Sequence, residues 1–137
     1  MLKKTIDYTD FNGIERKEDF YFHLSVPELT RMEAKYKGDI FEHIMHTVDN
    51  EDFKGMVEIL EDLILSSVGE KSTDGRSFMK NDEIRSRFEN SQAYAELFQE
   101  IFTDQEASRE FGEGIVTPAS PNEEKQRQIK ELRDSVK

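Results

Sequence analysis

Cysteine and tryptophan are absent from this sequence, and its 137 residues hold only three prolines and seven glycines. Without cysteine there can be no disulfide, no thiolate nucleophile and no Cys-based zinc site, and nothing favours an oxidising compartment. Long apolar runs are missing too. A membrane span needs roughly 18 or more consecutive apolar residues, and no stretch approaches that. The basic start Met1-Leu2-Lys3-Lys4 is not followed by the apolar region of a signal peptide. No membrane is expected among the partners, and the expected location is a cytoplasm.

Basic charge is scarce as well. Of 19 basic and 30 acidic side chains, five and four lie in residues 117–137, which leaves 14 and 26, a net −12, on residues 1–116. Nucleic-acid binding requires Lys and Arg to displace counterions from phosphates, so a field of this sign argues against nucleic acid as a partner. What the chain does have is ten phenylalanines and four tyrosines within a composition that is 35% hydrophobic and 36% charged. That supply of aromatics builds a core for one domain at this length, with ring surface to spare. Surplus rings left outside would form the apolar patch that marks a protein-binding site.

The periodicity predicts an α+β fold: an N-terminal β-hairpin packed on about five to six short helices, with a polar C-terminal tail. Asn12-Gly13 is a hairpin turn signal flanked by strand-forming residues. A two-residue loop would put Ile6 and Tyr8 on the opposite face from Phe20 and Phe22. A three-residue loop, Phe11-Asn12-Gly13, instead gathers Leu2, Ile6, Tyr8, Ile14, Phe20, Phe22 and Leu24 on one side, with Gly13 in a left-handed conformation. Ser25-Val26-Pro27-Glu28 has the spacing of a capping box and opens a helix to about Tyr36. Asp39 caps a second, on which Phe41, Ile44, Met45 and Val48 form the expected buried stripe. A third carries Phe53, Met56, Val57, Leu60, Leu63, Ile64 and Val68; Ile59 and Leu65 lie off that stripe, which marks the helix as central. Residues 69–80 read as an ordered loop or short hairpin anchored by Phe78. Asn81 and about Ser91 open two further helices, the first with Ile84 and Phe88, the second with Tyr94, Leu97, Phe98, Ile101 and Phe102. Thr103-Asp104-Gln105-Glu106 caps a last short helix ending near Phe111 and Gly112. Residues 1–116 are then one compact domain. Residues 117–137 are a linker and a charged, helix-prone tail, in which Ile129, Leu132 and Val136 are too few to hold it on a core.

Catalytic and metal motifs fail on spacing. His43 and His46, near Asp39 and Glu42, share a helix face, but the apolar stripe turns both toward solvent. Gly69-Glu70-Lys71-Ser72 has Glu70 and Leu65 where a phosphate-binding loop needs glycines, and Asp49–Gly55 places its glycine one residue late for a calcium loop. No Gly-x-Ser-x-Gly setting exists and no carboxylate pair stands out, so neither an enzyme nor a cofactor is expected.

One stretch is more specific. Gly69-Glu70-Lys71-Ser72-x-Asp74-Gly75-Arg76-x-Phe78-x-Lys80, then Ile84-x-x-x-Phe88 and Ala93-Tyr94-x-x-Leu97-Phe98, resembles the tail assembly chaperones of long-tailed (siphovirus-type) bacteriophages of Gram-positive hosts. The hairpin end Phe20-Tyr21-Phe22-x-Leu24-Ser25 resembles them too, so the likeness covers roughly residues 3–118. The family's usual end has a proline directly after the stretch matched by Gly114-Ile115-Val116; here Thr117 intervenes before Pro118. The resemblance implies a non-enzymatic protein of the host cytoplasm. It would hold the tape measure protein soluble while the tail tube assembles and be absent from the finished virion. It also implies the tail tube protein as a partner of a longer, frameshifted product, and leaves a homo-oligomer open. Phe78, Phe98 and Phe102 are the candidate partner contacts, with Gly69, Lys71, Asp74, Gly75, Arg76 and Phe78 forming the family-like loop. The rival readings are a tail completion or connector protein retained in the virion, and a small acidic module that inhibits a host protein.

Overall fold

A computed structural model describes residues 1–116; the expectations for residues 117–137 lie outside the described residues. The elements follow in the order β1 (Leu2–Thr9), β2 (Glu15–Phe22), α1 (Val26–Tyr36), α2 (Ile40–Asp49), α3 (Phe53–Ser67), β3 (Val68–Lys71), β4 (Phe78–Met79), α4 (Asp82–Glu89), α5 (Gln92–Thr103) and α6 (Gln105–Val116). This is the expected α+β architecture.

The hairpin takes the three-residue loop. Leu2 pairs with Phe22 and Tyr8 with Arg16. The Asp10 N–H donates to the Ile14 carbonyl at 2.9 Å, the Gly13 N–H donates to the Asp10 carbonyl at 3.0 Å, and Gly13 has φ +81°. The Asp10 carboxylate secures the turn by accepting from the Asn12 and Ile14 amides, each at 2.9 Å, and from Arg16 at 2.8 Å. On the apolar side Ile6, Phe22 and Leu24 are buried and Leu2, Tyr8 and Phe20 pack against the core. Ile14 is the exception at 51% exposed, because it sits at the hairpin tip beyond the packed part of the sheet.

The sheet is larger than the sequence suggested. Residues 69–80 do form a short hairpin, and its first strand, β3, joins β2 through Tyr21–Gly69 and Phe22–Val68, giving an antiparallel sheet in the order β1-β2-β3-β4. The helices cover its apolar face. Phe20 and Phe22 meet Phe88 of α4 at ring distances of 5.1 and 5.6 Å, and Phe22 meets Phe111 of α6 at 5.2 Å. Lys4 reaches across to Glu100 of α5 at 3.1 Å.

Side-chain caps fix the helix starts. Ser25 and Glu28 complete the capping box of α1, while Asp39, Asp52, Asn81 and Ser91 each accept from first-turn amides. At α6 the cap is Asp104, which accepts from Glu106 and Ala107, whereas the Thr103 hydroxyl turns back to the Gln99 carbonyl. This helix also runs on to Val116 instead of ending near Gly112. Its two glycines are seats for other side chains: a Cβ on Gly112 would lie 2.6 Å from the Phe41 ring, and one on Gly114 would lie 3.0 Å from Leu2. With Ile115 fully buried, tertiary packing offsets the roughly 1 kcal/mol that each glycine costs a helix.

Helix α3 is central, touching α2, α4 and α5. Its buried face keeps Leu60, Leu63, Ile64 and Val68 of the expected stripe but shifts at the start. Ile59 has no exposed surface, whereas Phe53, at the start of the stripe, is 65% exposed.

Candidate partner-binding groove

The stripe on α2 is covered only in part. Ile40 and Thr47 are the buried residues of that helix, Phe41, Ile44 and Val48 are half-covered, and Met45 is 45% exposed. The Thr47 hydroxyl satisfies itself on the Ile44 carbonyl at 2.6 Å, so this face of α2 turns inward and the methionine outward. Between α2, α3, α5 and the start of α6 there remains an open groove of about 300 Å³. Its walls include Phe41, Met45 and Val48 of α2, Met56 of α3, and Ile101 and Phe102 of α5. They present an apolar surface.

Rings extend the apolar surface beyond the groove. Phe98 stacks on Phe102 at 5.6 Å with an interplanar angle of 15°, Tyr94 lies 6.1 Å from Phe98, and the exposed Phe53 lies 6.4 Å from Phe102. Two of the three candidate contacts thus fall together, Phe102 in the groove wall and Phe98 stacked on it. Tyr94 is half-buried, and burial together with Glu61 and Glu89 pushes its phenol up to about 12.

Phe78 lies elsewhere. Its ring covers Gly69 and meets His23 edge-on at 5.9 Å, with the Lys80 ammonium 5.9 Å from its centre. The family-like loop likewise has structural work to do. Asp74 accepts from the Ser72 hydroxyl at 2.7 Å and the Arg76 amide at 3.0 Å, bonds that hold its carboxyl below the usual range. Gly75 takes φ +74° in the same turn, and the Lys71 ammonium sits 5.6 Å from the Tyr21 ring centre. Arg76 is exposed at the tip.

Lys80, which the motif contains but the sequence reading assigned no task, ties three elements together. Its ammonium donates to Glu28 of α1 and to the Ser66 carbonyl of α3, both at 2.7 Å. Burial opposes the Glu28 charge, but Lys80 and the Ser25 amide and hydroxyl outweigh it and hold the carboxyl below its ordinary value.

His43 is half-buried rather than turned to solvent, its ring 4.8 Å from Tyr36, while His46 is exposed. Tyr36 in turn donates to Asp62; burial and that carboxylate push its phenol up. Among the described residues no three His, Asp or Glu side chains gather as a metal site, and no helix is long and apolar enough to cross a membrane.

An acidic α+β fold with an apolar groove that exposes Met45, and with exposed Phe53 beside the groove's Phe102, offers the kind of surface that binds proteins. The chain belongs to the phage tail assembly chaperone family, whose model matches residues 1–135. Its role is therefore in phage tail assembly, among protein partners. No curated protein and no solved structure matches it.

Proposed function

We propose that this chaperone binds the tape measure protein of its phage, keeps it soluble while the tail tube assembles around it, and leaves before the virion is complete. The host is a Gram-positive bacterium and the phage long-tailed. The observation that carries this reading is the groove itself: exposed Met45 and Phe53 beside half-covered Phe102, on a stretch, residues 1–116, with 14 basic and 26 acidic side chains. An apolar client is held at that site. The net −12 on residues 1–116 keeps neighbouring chaperones on one client from coalescing. Each contact is weak and the hold comes from many copies, because a client handed on to the tube must be released. The role requires no catalysis.

The test is a pull-down from infected cells together with mass spectrometry of purified virions. The tape measure protein should be enriched with the chaperone, and the chaperone should be missing from the particle. Fixed stoichiometry in the virion would favour a tail completion or connector protein instead.

A further inference from the structure

The groove has a shape and a charge setting that specify more than an apolar client. All of its walls are helical: its lining comes from α2, α3, α5 and α6, and no strand contributes. No sheet edge is available there to pair with an extended peptide, so recognition by strand addition is excluded at this site. At about 300 Å³ the groove is too small to enclose a helix but takes the side chains along one helical face, as in helix-in-groove recognition.

The elements that border the groove carry an excess of exposed acidic residues. The segments that border the groove, 41–54 and 104–110, carry seven carboxylates (Glu42, Asp49, Glu51, Asp52, Asp104, Glu106 and Glu110) against only Lys54 and Arg109. Arg109, in the groove lining, is already paired with Glu106 at 2.9 Å. An apolar floor on elements with this excess of exposed carboxylates complements a helix with an apolar stripe flanked by Lys and Arg.

Resting on the client-binding reading above, we propose that the α2–α3–α5–α6 groove binds one amphipathic, basic-flanked helical segment of the partner, its apolar side chains at i, i+3/i+4 and i+7 seated against Met45, Met56 and Phe102. Contact with Met45 supplies the apolar part and the bordering carboxylates supply orientation. The salt dependence of binding follows from those carboxylates being exposed.

Two synthetic helical peptides of about 18 residues, roughly five turns, test this. Both carry leucines on one face, with lysines on the flanks of one and glutamates on the flanks of the other. In anisotropy titrations at low salt the lysine peptide should bind about tenfold or more tightly than its counterpart, and the difference should shrink as salt rises. Methyl NMR of the full chain, which has five methionines, should show Met45 and Met56 shifting on binding while Met32 and Met79 stay. Met45→Glu should weaken binding about tenfold. This substitution adds a carboxylate, so attraction by charge alone would strengthen binding instead. Equal binding of both peptides, shifts confined to other methionines, or unchanged or tighter binding by Met45→Glu would each overturn the assignment. The chaperone reading is separable: if wild type and Met45→Glu both keep the tape measure protein soluble, the groove assignment fails alone. If wild type does not keep it soluble, the chaperone reading fails.

Discussion

Replacing Gly69 by alanine puts one carbon where the fold has no room. An added Cβ would stand 2.5 Å from Cε2 of Phe78 and 2.7 Å from the Met79 carbonyl oxygen, against roughly 3.5 to 4 Å for ordinary contact between carbons. The phenyl ring can swing aside. The carbonyl cannot easily do so, because Met79 is paired with Glu70 in the β3–β4 ladder, and the next residue, Lys80, is held by Glu28 and Ser66. The strand must therefore move by about 1 Å, and overpacking of this kind costs about 1 to 3 kcal/mol. The upper half of that range is expected, with a fall in thermal midpoint on the order of 10 °C for a domain of this size. Gly13→Ala is the control: nothing lies within 4 Å of its added Cβ and only the left-handed backbone at φ +81° is strained, so it should cost about 1 kcal/mol. Urea denaturation followed by circular dichroism, with the slopes unchanged, measures both. If Gly69→Ala stays within about 0.5 kcal/mol of wild type, or costs less than Gly13→Ala, the close-packing argument is wrong.

Phe22 joins the sheet to Phe88 and Phe111 with no exposed surface, so Phe22→Ala should cost about 3 to 5 kcal/mol in the same urea assay. His23 gives a pH dependence: burial first, then the positive N-terminus and Lys80, lower its imidazole below its ordinary value of 6.5. The unfolded chain therefore takes up its proton first, so the His23 contribution is present above pH 6.5 and is lost as pH falls from there to the folded-state value. A proton NMR titration should place the His23 midpoint below 6.5, and His23→Gln should flatten the stability profile in that window. A midpoint above 6.5 would reverse the sign.

Local signals were readable because they are short-range. The loop register follows from which pairing puts Ile6, Tyr8, Phe20 and Phe22 on one side, and the helix starts follow from Ser25, Asp39, Asn81 and Ser91 as side-chain acceptors. Features set by distant partners were not. Strand β3 meets β2 through only two residue pairs, too few to leave a pattern in Val68-Gly69-Glu70-Lys71. Helix α6 passes Gly112 because Phe41, some seventy positions earlier, needs the space above it. The same limit applies to the candidate site. Periodicity identifies Met45 and Phe53 as members of apolar stripes, yet whether a stripe is covered depends on how α2, α3, α5 and α6 meet. Phe98 and Phe102 are candidates through their spacing on α5; Phe78 is a candidate through its motif, and the motif belongs to a structural hairpin.

The central claim, that this chain keeps an apolar client in solution, is tested most directly by co-expressing the tape measure protein with and without it, followed by fractionation and gel filtration. The account predicts that the tape measure protein is insoluble alone and soluble with the chaperone, in a complex holding several chaperone copies per client. Equal insolubility in both cases, with no complex surviving gel filtration, would contradict it.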